Sequence, residues 1–565
     1  MTTGASLHNS IDWHSINWKE AYENVRRLQS RIVKALQEGK KRKVRALQII
    51  LTRSFSGKAM AVRRITENQG KNTPGIDNEV WNSPEKKTQA IINLQHSGYH
   101  PKPLKRIYIP KSDKRLRPLS IPAMKDRAFQ ALYLLALDPI AEMKADLNSY
   151  GFRKERSVAD AIEQCFIELS RKRSSQYILK IDIKSCFDKI SHQWILSNIP
   201  MDKTILRKWL KAGYIYKEVW NETEAGTPQG ATISPVIMNL TLDGLEKELM
   251  RKFSPTNRKQ NQNQVHFVRF ADDMIVTGKS KKLLEQEVKP LIEEFLKQRG
   301  LELSQEKTKI VHISDGFDFL GKNIRKYGSK LLIKPATKNV KSILVKIRQT
   351  VKKNLSTSME ILISKLNLLI KGWANYYKHD VSKEIFARVD HEIFQSLWKW
   401  ARRRHPKKSS EWIKDKYFKS TGNRNWVFQT TIKDKDGEPK TIRLIKAADV
   451  AIKRHIKIKA EANPYDPDWE VYFEKRIGLK MLDNLKEKKR LYRLWYGQDG
   501  ICPICSQKIT KETGWNIHHI KRRTDGGKNT MDNLVLLHPN CHIQAHNQDW
   551  TVTKPRPVKR ALPEA

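Results

Sequence analysis

The run Val265-His266-Phe267-Val268-Arg269-Phe270-Ala271-Asp272-Asp273-Met274-Ile275-Val276-Thr277-Gly278 constrains this chain more than any other segment. β-Branched and aromatic residues flank a small acidic turn, a pattern that predicts strand, tight turn, strand. Asp272 and Asp273 stand side by side at that turn. Adjacent carboxylates repel and raise each other's pKa, and a divalent cation with oxygen ligands removes the cost. A third carboxylate, Asp182, follows the apolar run Tyr177-Ile178-Leu179-Lys180-Ile181. Taken singly, the hairpin acids read as a solvated turn and Asp182 as a helix cap. Together, three carboxylates at strand ends can hold two magnesium ions roughly 3.5–4 Å apart. Asp182, Asp272 and Asp273 are therefore the candidate metal ligands and catalytic acids.

The charge balance points to a polyanion. Lys and Arg number 108 against 60 acidic residues, a formal net charge of +48, far beyond what solubility requires. A membrane surface is the competing partner, but the longest apolar stretch, Ala131–Leu137, is too short to span a bilayer. The chain has no basic-then-apolar leader pattern and only five cysteines, three of them in the C-terminal region. These features predict an intracellular, cytoplasmic protein without a disulfide framework.

The C-terminal cysteines suggest zinc. Cys502-Pro503-Ile504-Cys505 aims two thiolates at one point, and His538-Pro539-Asn540-Cys541 supplies a second pair. Cys502, Cys505, His538 and Cys541 form a Cys₃His set suited to a structural tetrahedral zinc ion. Between the pairs lie Ile517-His518-His519-Ile520 and Asn533-Leu534, and His542 and His546 follow Cys541.

Further segments, in order, complete a resemblance. Ile109-Pro110-Lys111 with Arg115-Leu116-Arg117-Pro118-Leu119 resembles the fingers hairpin of reverse transcriptases, whose basic residues hold the incoming triphosphate. Tyr150-Gly151-Phe152-Arg153, Gly226–Pro235, Gly300–Lys309 and Phe317-Asp318-Phe319-Leu320-Gly321 are similar to further segments of that core. Leu369-Ile370-Lys371-Gly372-Trp373-Ala374-Asn375-Tyr376-Tyr377 resembles the maturase signature of group II intron-encoded proteins. The C-terminal set resembles an HNH nuclease. The chain as a whole is similar to a bacterial-type group II intron-encoded protein, a reverse transcriptase, maturase and HNH endonuclease in one polypeptide.

The resemblance implies roles. Lys111, Arg117, Gln229, Gly230 and Lys307 would contact the substrate nucleotide or its base pair, and Phe187 would lie against the sugar's 2′ position and favour deoxynucleotides. Trp373, Tyr376, Tyr377, Arg402, Arg403 and Arg404 would bind RNA or DNA. His518 and His542, with His546 as third ligand, would hold one divalent ion in the nuclease. His519 would be the general base, and Asn533, counted among the substrate-binding residues, would orient the base region through hydrogen bonds. The chain departs from the usual pattern at Phe270, where many relatives have Tyr, at Ala231, where Gly is common, and at His538, where many have Cys.

The implied fold is multidomain α+β, a right-hand polymerase with appended modules. A helical N-terminal extension would cover 1–75, its apolar face carrying Val25, Leu28, Ile32, Val33 and Leu36. Fingers and palm would occupy 76–325, a three-helix thumb and maturase domain 326–405, and a DNA-binding region 406–465. A basic helical connector (466–495), the ββα-metal nuclease (496–550) and a basic tail (551–565) would follow. Implied partners are group II intron RNA, target DNA and deoxynucleoside triphosphates, with no membrane; monomer and dimer both remain open. Two rivals stand against this reading: a maturase with a vestigial polymerase, and a reverse transcriptase outside the intron class.

Overall fold

The computed structural model describes residues 12–110, 116–254, 262–422, 424–433, 438–485, 489–511, 513–522, 525–528 and 530–555. Lys111 and Arg115 lie outside the described residues, as does 556–565 of the tail. The N-terminal extension forms three helices, α1 (Trp18–Gln37), α2 (Lys41–Arg53) and α3 (Phe55–Glu67). Asn17 caps α1 by accepting from the Glu20 amide, and Ser54 caps α3 through Gly57, satisfying otherwise unpaired helix donors. The expected apolar face is present: Val25, Leu28, Ile32 and Val33 are buried and Leu36 is partly so.

The fingers strands β1 (Leu104–Pro110) and β2 (Leu116–Ile121) pair antiparallel, and β4 (Tyr214–Tyr216) and β5 (Val219–Asn221) extend this sheet to the order β2-β1-β4-β5. β3 (Tyr177–Ile181), β6 (Phe267–Phe270), β7 (Asp273–Gly278) and β8 (Lys309–His312) build the palm sheet, ordered β6-β7-β3-β8. All of its neighbours are antiparallel. A third sheet, β9 (Phe317–Phe319), β10 (Lys322–Tyr327) and β11 (Lys330–Pro335), leads to the thumb. The thumb is three helices, Thr337–Lys353, Met359–Tyr377 and Lys383–Arg404.

After the thumb, the helix Ser410–Tyr417 precedes an antiparallel sheet of β12 (Phe418–Thr421), β13 (Arg424–Lys433) and β14 (Pro439–Arg443). Residues 450–466 then run back as a strap across palm and fingers. Asp160, wholly buried, anchors it: its carboxylate accepts from the Ile458 amide at 2.7 Å, His455 Nε2 at 2.9 Å and Arg476 Nη2 at 2.7 Å. At the far end Tyr465 donates to Asp138. The last module is β15 (Asn516–His519), β16 (Leu534–Leu537) and the helix Pro539–Asn547. One apolar cluster joins it to the palm and the N-terminal helices, including Trp13, Trp18, Leu179, Phe187, Cys502, Cys541 and Val552. Among the described residues no helix is long and apolar enough to cross a membrane.

Burial works against the charge on Asp160, but the hydrogen bonds from His455 and Ser157 and the nearby Arg476 win and pull its pKa down to about 2. Because this lies below the ordinary 3.8, the unfolded chain binds more protons between those values. The anchor's contribution is complete above pH ~4 and fades as pH falls toward ~2. Asp160→Ala strands Arg476 and should lower stability by about 3–5 kcal/mol, read by denaturant unfolding and by faster proteolysis within 450–466.

Candidate polymerase and nuclease sites

The palm brings the predicted acids together. Ile181 pairs with Met274 across β3 and β7, so Asp182, just past β3, lies beside Asp273 at the head of β7. Asp272 occupies the two-residue turn between Phe270 and Asp273, which face each other across the hairpin. Ala271 takes a left-handed φ of 59° there, a conformation L-residues adopt only when held.

The holding is visible. Gly151 packs onto the turn so closely that a Cβ would lie 2.3 Å from the Ala271 nitrogen. The Tyr150 amide donates to the Arg269 carbonyl at 2.9 Å, and Asn239 Nδ2 donates to the Gly151 carbonyl at 2.9 Å. Beneath the turn the fully buried Arg269 guanidinium donates to Asp243 and, at 3.2 Å, to Asn239. Burial pushes Asp146 and Asp243 up to about 6, and Arg269 opposes that shift.

The electrostatics at the acids fit a cation. Asp273 is pushed up to about 6, first by lost hydration and then by Asp272 and Asp182, with Lys180 and Lys307 opposing. Its side chain still reaches solvent, so it stands at the open edge of the cleft. Lys307 donates to both Asp182 oxygens at 3.2 and 3.3 Å. The segment bearing it lies along the end of β3, the Ser304 amide donating to the Asp182 carbonyl at 2.8 Å. The acids are less tightly gathered than the two metal-ligand groups of the nuclease module, whose donor atoms all lie within 4.8 Å of one another.

Residues distant in sequence also meet at the fingers edge. Arg117 Nε donates to Gln229 Oε1 at 2.9 Å, and Gln229 Nε2 donates to Asp188 Oδ2 at 3.3 Å. Gly230, at φ 107°, lies where a Cβ would be 2.8 Å from the Ser120 carbonyl oxygen. Phe187 is 8% exposed within the core cluster, and its carbonyl accepts from the Thr227 amide at 2.6 Å.

The maturase aromatics occupy a seam between palm and thumb. Tyr377 is 2% exposed and donates to the Gly321 carbonyl at 3.0 Å; Tyr376 donates to the Leu320 carbonyl at 2.9 Å. Lys322 and Asp380, each 1% exposed, pair at 2.8 Å beside them. Tyr377 therefore packs the seam and cannot offer the RNA or DNA contact expected from sequence. Trp373 is half-buried and stacks near Tyr377 and Phe386. Arg402 and Arg403 are exposed, whereas Arg404 is tied to the Thr357 carbonyl at 2.8 Å and lies over Trp400.

In the nuclease module, Cys502, Cys505, His538 and Cys541 converge, all buried. His538 Nε2 meets the Lys508 carbonyl at 3.2 Å and its Nδ1 faces Cys505 Sγ at 3.2 Å. That carbonyl fixes the tautomer that leaves Nδ1 free as a ligand. This Cys/His cluster fits zinc. His518, His542 and His546 form the second group; His542 and His546 share one helix face. His518 Nδ1 is buried without a partner among the described residues. Burial first, and then the other histidines, bring His518 down to about 4, leaving it neutral, the ligating form. His519, the next residue of β15, is half-buried, and its Nε2 is buried with no partner among the described residues.

Asn533 makes three bonds to backbone. It accepts from the Lys521 amide at 2.7 Å and donates to the Lys521 and Lys528 carbonyls at 2.9 and 2.8 Å. These bonds hold the loop that follows His519. Sequence reading missed Arg269, Asp243, Asp160 and Lys322; a buried ion pair leaves no local pattern to find.

The geometry defines a palm-type polymerase joined to a ββα module that carries two clusters of metal-ligating side chains. Family models match in the same order: N-terminal domain of reverse transcriptase over residues 13–94, reverse transcriptase (RNA-dependent DNA polymerase) over 109–324, the group II intron maturase-specific domain over 340–418 and HNH endonuclease over 502–548. Protein YkfC of Escherichia coli K12 is 30% identical over 351 residues, 55% of this chain and 89% of YkfC. The group II intron-encoded protein LtrA of Lactococcus lactis is 29% identical over 328 residues, 47% of this chain, and the match spans 54% of LtrA. An uncharacterized 91 kDa protein in the cob intron of Schizosaccharomyces pombe is 25% identical over 592 residues, 88% of this chain and 69% of that protein. The chain belongs to the group II intron-encoded proteins, with reverse transcriptase, maturase-specific and HNH endonuclease domains.

Gly151→Ala should displace the Ala271 turn. Since misplacement of about 1 Å can cost ~10²-fold in rate, primer extension should fall by that order while the far-ultraviolet circular dichroism spectrum stays unchanged.

Proposed function

We propose that this protein copies its own intron RNA into DNA, assists that RNA to fold and splice, and nicks the target DNA strand that supplies the primer. The observation that carries the reading is the meeting of Asp182 with the Asp272–Asp273 turn on paired strands, Lys307 beside them. Two magnesium ions held by Asp182, Asp272 and Asp273 would activate the primer 3′-hydroxyl and stabilise the departing pyrophosphate. Lys307 pairs with the Asp182 carboxylate at 3.2 Å and offsets its charge at the cleft. Arg117 and Gln229, joined in one hydrogen-bonded chain with Asp188, would order the fingers edge against the incoming deoxynucleoside triphosphate. Gly230 lets that loop close on β2, and Phe187, next to Asp188, is the residue proposed to select deoxyribose. Lys111 completes the basic fingers set by resemblance alone.

In the nuclease, His518, His542 and His546 would hold one divalent ion, which stabilises negative charge at the scissile phosphate. His519 takes the proton from the attacking water through its unpartnered Nε2. Asn533 keeps the following loop in place. Zinc held by Cys502, Cys505, His538 and Cys541 is structural. Exposed Arg402 and Arg403 and the half-exposed Trp373 and Tyr376 are the proposed nucleic-acid contacts, and cytoplasmic work as a nucleoprotein follows from these partners. The high positive charge makes affinity for phosphate backbones fall steeply with salt.

Asp272→Ala with Asp273→Ala should abolish complementary-DNA synthesis on an RNA template while splicing of the flanking intron proceeds. Residual extension by the double variant would refute the two-metal assignment. His519→Ala should lower nicking of the target strand by ~10²-fold or more with primer extension from a supplied primer unaltered, both read on one labelled duplex.

A further inference from the structure

The first turn of the described chain and the nuclease module share a buried interface. Trp13 and Trp18 are 1% and 2% exposed with ring centroids 4.8 Å apart. Trp13 Nε1 donates to Asn540 Oδ1 at 3.2 Å, and Gln544 Nε2 donates to the His14 and Ile16 carbonyls at 3.1 and 3.3 Å. Asn540 and Gln544 flank the zinc ligand Cys541 on its own helix. Cys502, Cys505 and Cys541 belong to the same apolar cluster as Trp13, Trp18, Ala59 and Val62. Trp18 of α1 lines one cleft with Gln544 and with Pro503 and Ile504, the residues between the two knuckle cysteines.

Arg63 on α3 sits at this seam. Its guanidinium lies 4.9 Å from the Trp18 ring centre, its Nε donates to Glu67 at 3.2 Å, and its Nη1 is buried with no hydrogen-bond partner among the described residues. A buried guanidinium with an unused N–H is costly unless negative charge faces it. Burial works against its charge and Glu67 favours it, and the Trp18 ring it lies over borders Pro503 and Ile504 of the knuckle. Three thiolates and one imidazole around a zinc ion leave one net negative charge, which a nearby cation would offset.

We propose that Arg63 is the counter-charge of the zinc centre, and that the zinc-loaded knuckle fastens the nuclease module to the N-terminal helices of the polymerase. This rests on the zinc reading of Cys502, Cys505, His538 and Cys541. Arg63 is a positioning residue: it acts through the ligands and touches no substrate.

The test uses the full chain. Elemental analysis first gives zinc per molecule, and a zinc-selective chelator then gives apparent affinity. Arg63→Gln should weaken zinc binding about 10- to 100-fold, as loss of an outer-shell partner does, and Arg63→Lys should restore part of it. Independently, stripping zinc from the unaltered protein should raise hydrogen exchange in 13–37 and 55–67 while the palm strands 177–181 and 273–278 keep their protection. Should Arg63→Gln fail to fold, this second measurement decides alone. Complete zinc loss with unchanged exchange in 13–37 and 55–67 overturns the fastening, and an Arg63→Gln chain with unaltered zinc affinity overturns the counter-charge. A purified chain devoid of zinc sinks the zinc reading and this inference together, whereas zinc that is present but whose removal leaves exchange in 13–37 and 55–67 unaltered sinks the fastening and spares the zinc reading.

Discussion

Three aspartates can crowd the end of two strands only if the backbone beneath them cannot yield, and here Arg269 is what keeps it from yielding. Its guanidinium is wholly enclosed under the hairpin, bonded to Asp243 and Asn239. Asn239 in turn reaches the carbonyl of Gly151, whose missing side chain lets the preceding segment close over Ala271. Removing one partner from such a buried network costs far more than the pair contributes in isolation. The cation-driven chemistry proposed for Asp182, Asp272 and Asp273 rests on a second, hidden set of charges beneath the turn.

The same principle recurs at each joint. Lys322 and Asp380 lock the sheet of β9–β11 to the thumb, and Asp160 with Arg476 and His455 locks the strap to the palm. Each joint pairs a buried acid with a cation and at least one backbone group or aromatic ring. A protein with so large a positive excess has few acids to spare, and several of them are placed at these internal contacts. The cationic remainder is left for the surface.

The palm was legible because strand alternation and an acidic turn write themselves locally, and Asp182 closes a run of five residues with strand character. The zinc and histidine groups were legible for a similar reason, since metal ligands come as short spaced pairs. The thumb helices also follow their apolar periodicity. What could not be read was partnership across distance. Tyr377 looked like a nucleic-acid contact because an aromatic beside lysines has the same sequence whether it stacks on a base or, as here, bonds to Gly321. The three backbone partners of Asn533 are equally invisible in its own stretch of sequence. The β12–β14 sheet was hidden inside a region recognised only by composition and position, because uncharged polar and basic residues interrupt the apolar alternation of its exposed strands.

Trp13 meets Asn540 across more than five hundred positions of chain, so the polypeptide is stitched into a closed circuit. A gene that shed its nuclease would bare two indoles and a guanidinium on the polymerase it left behind. Such a truncation favours polar substitutions at Trp13 and Trp18, which makes the two enzymes harder to separate by descent than their distinct chemistries suggest.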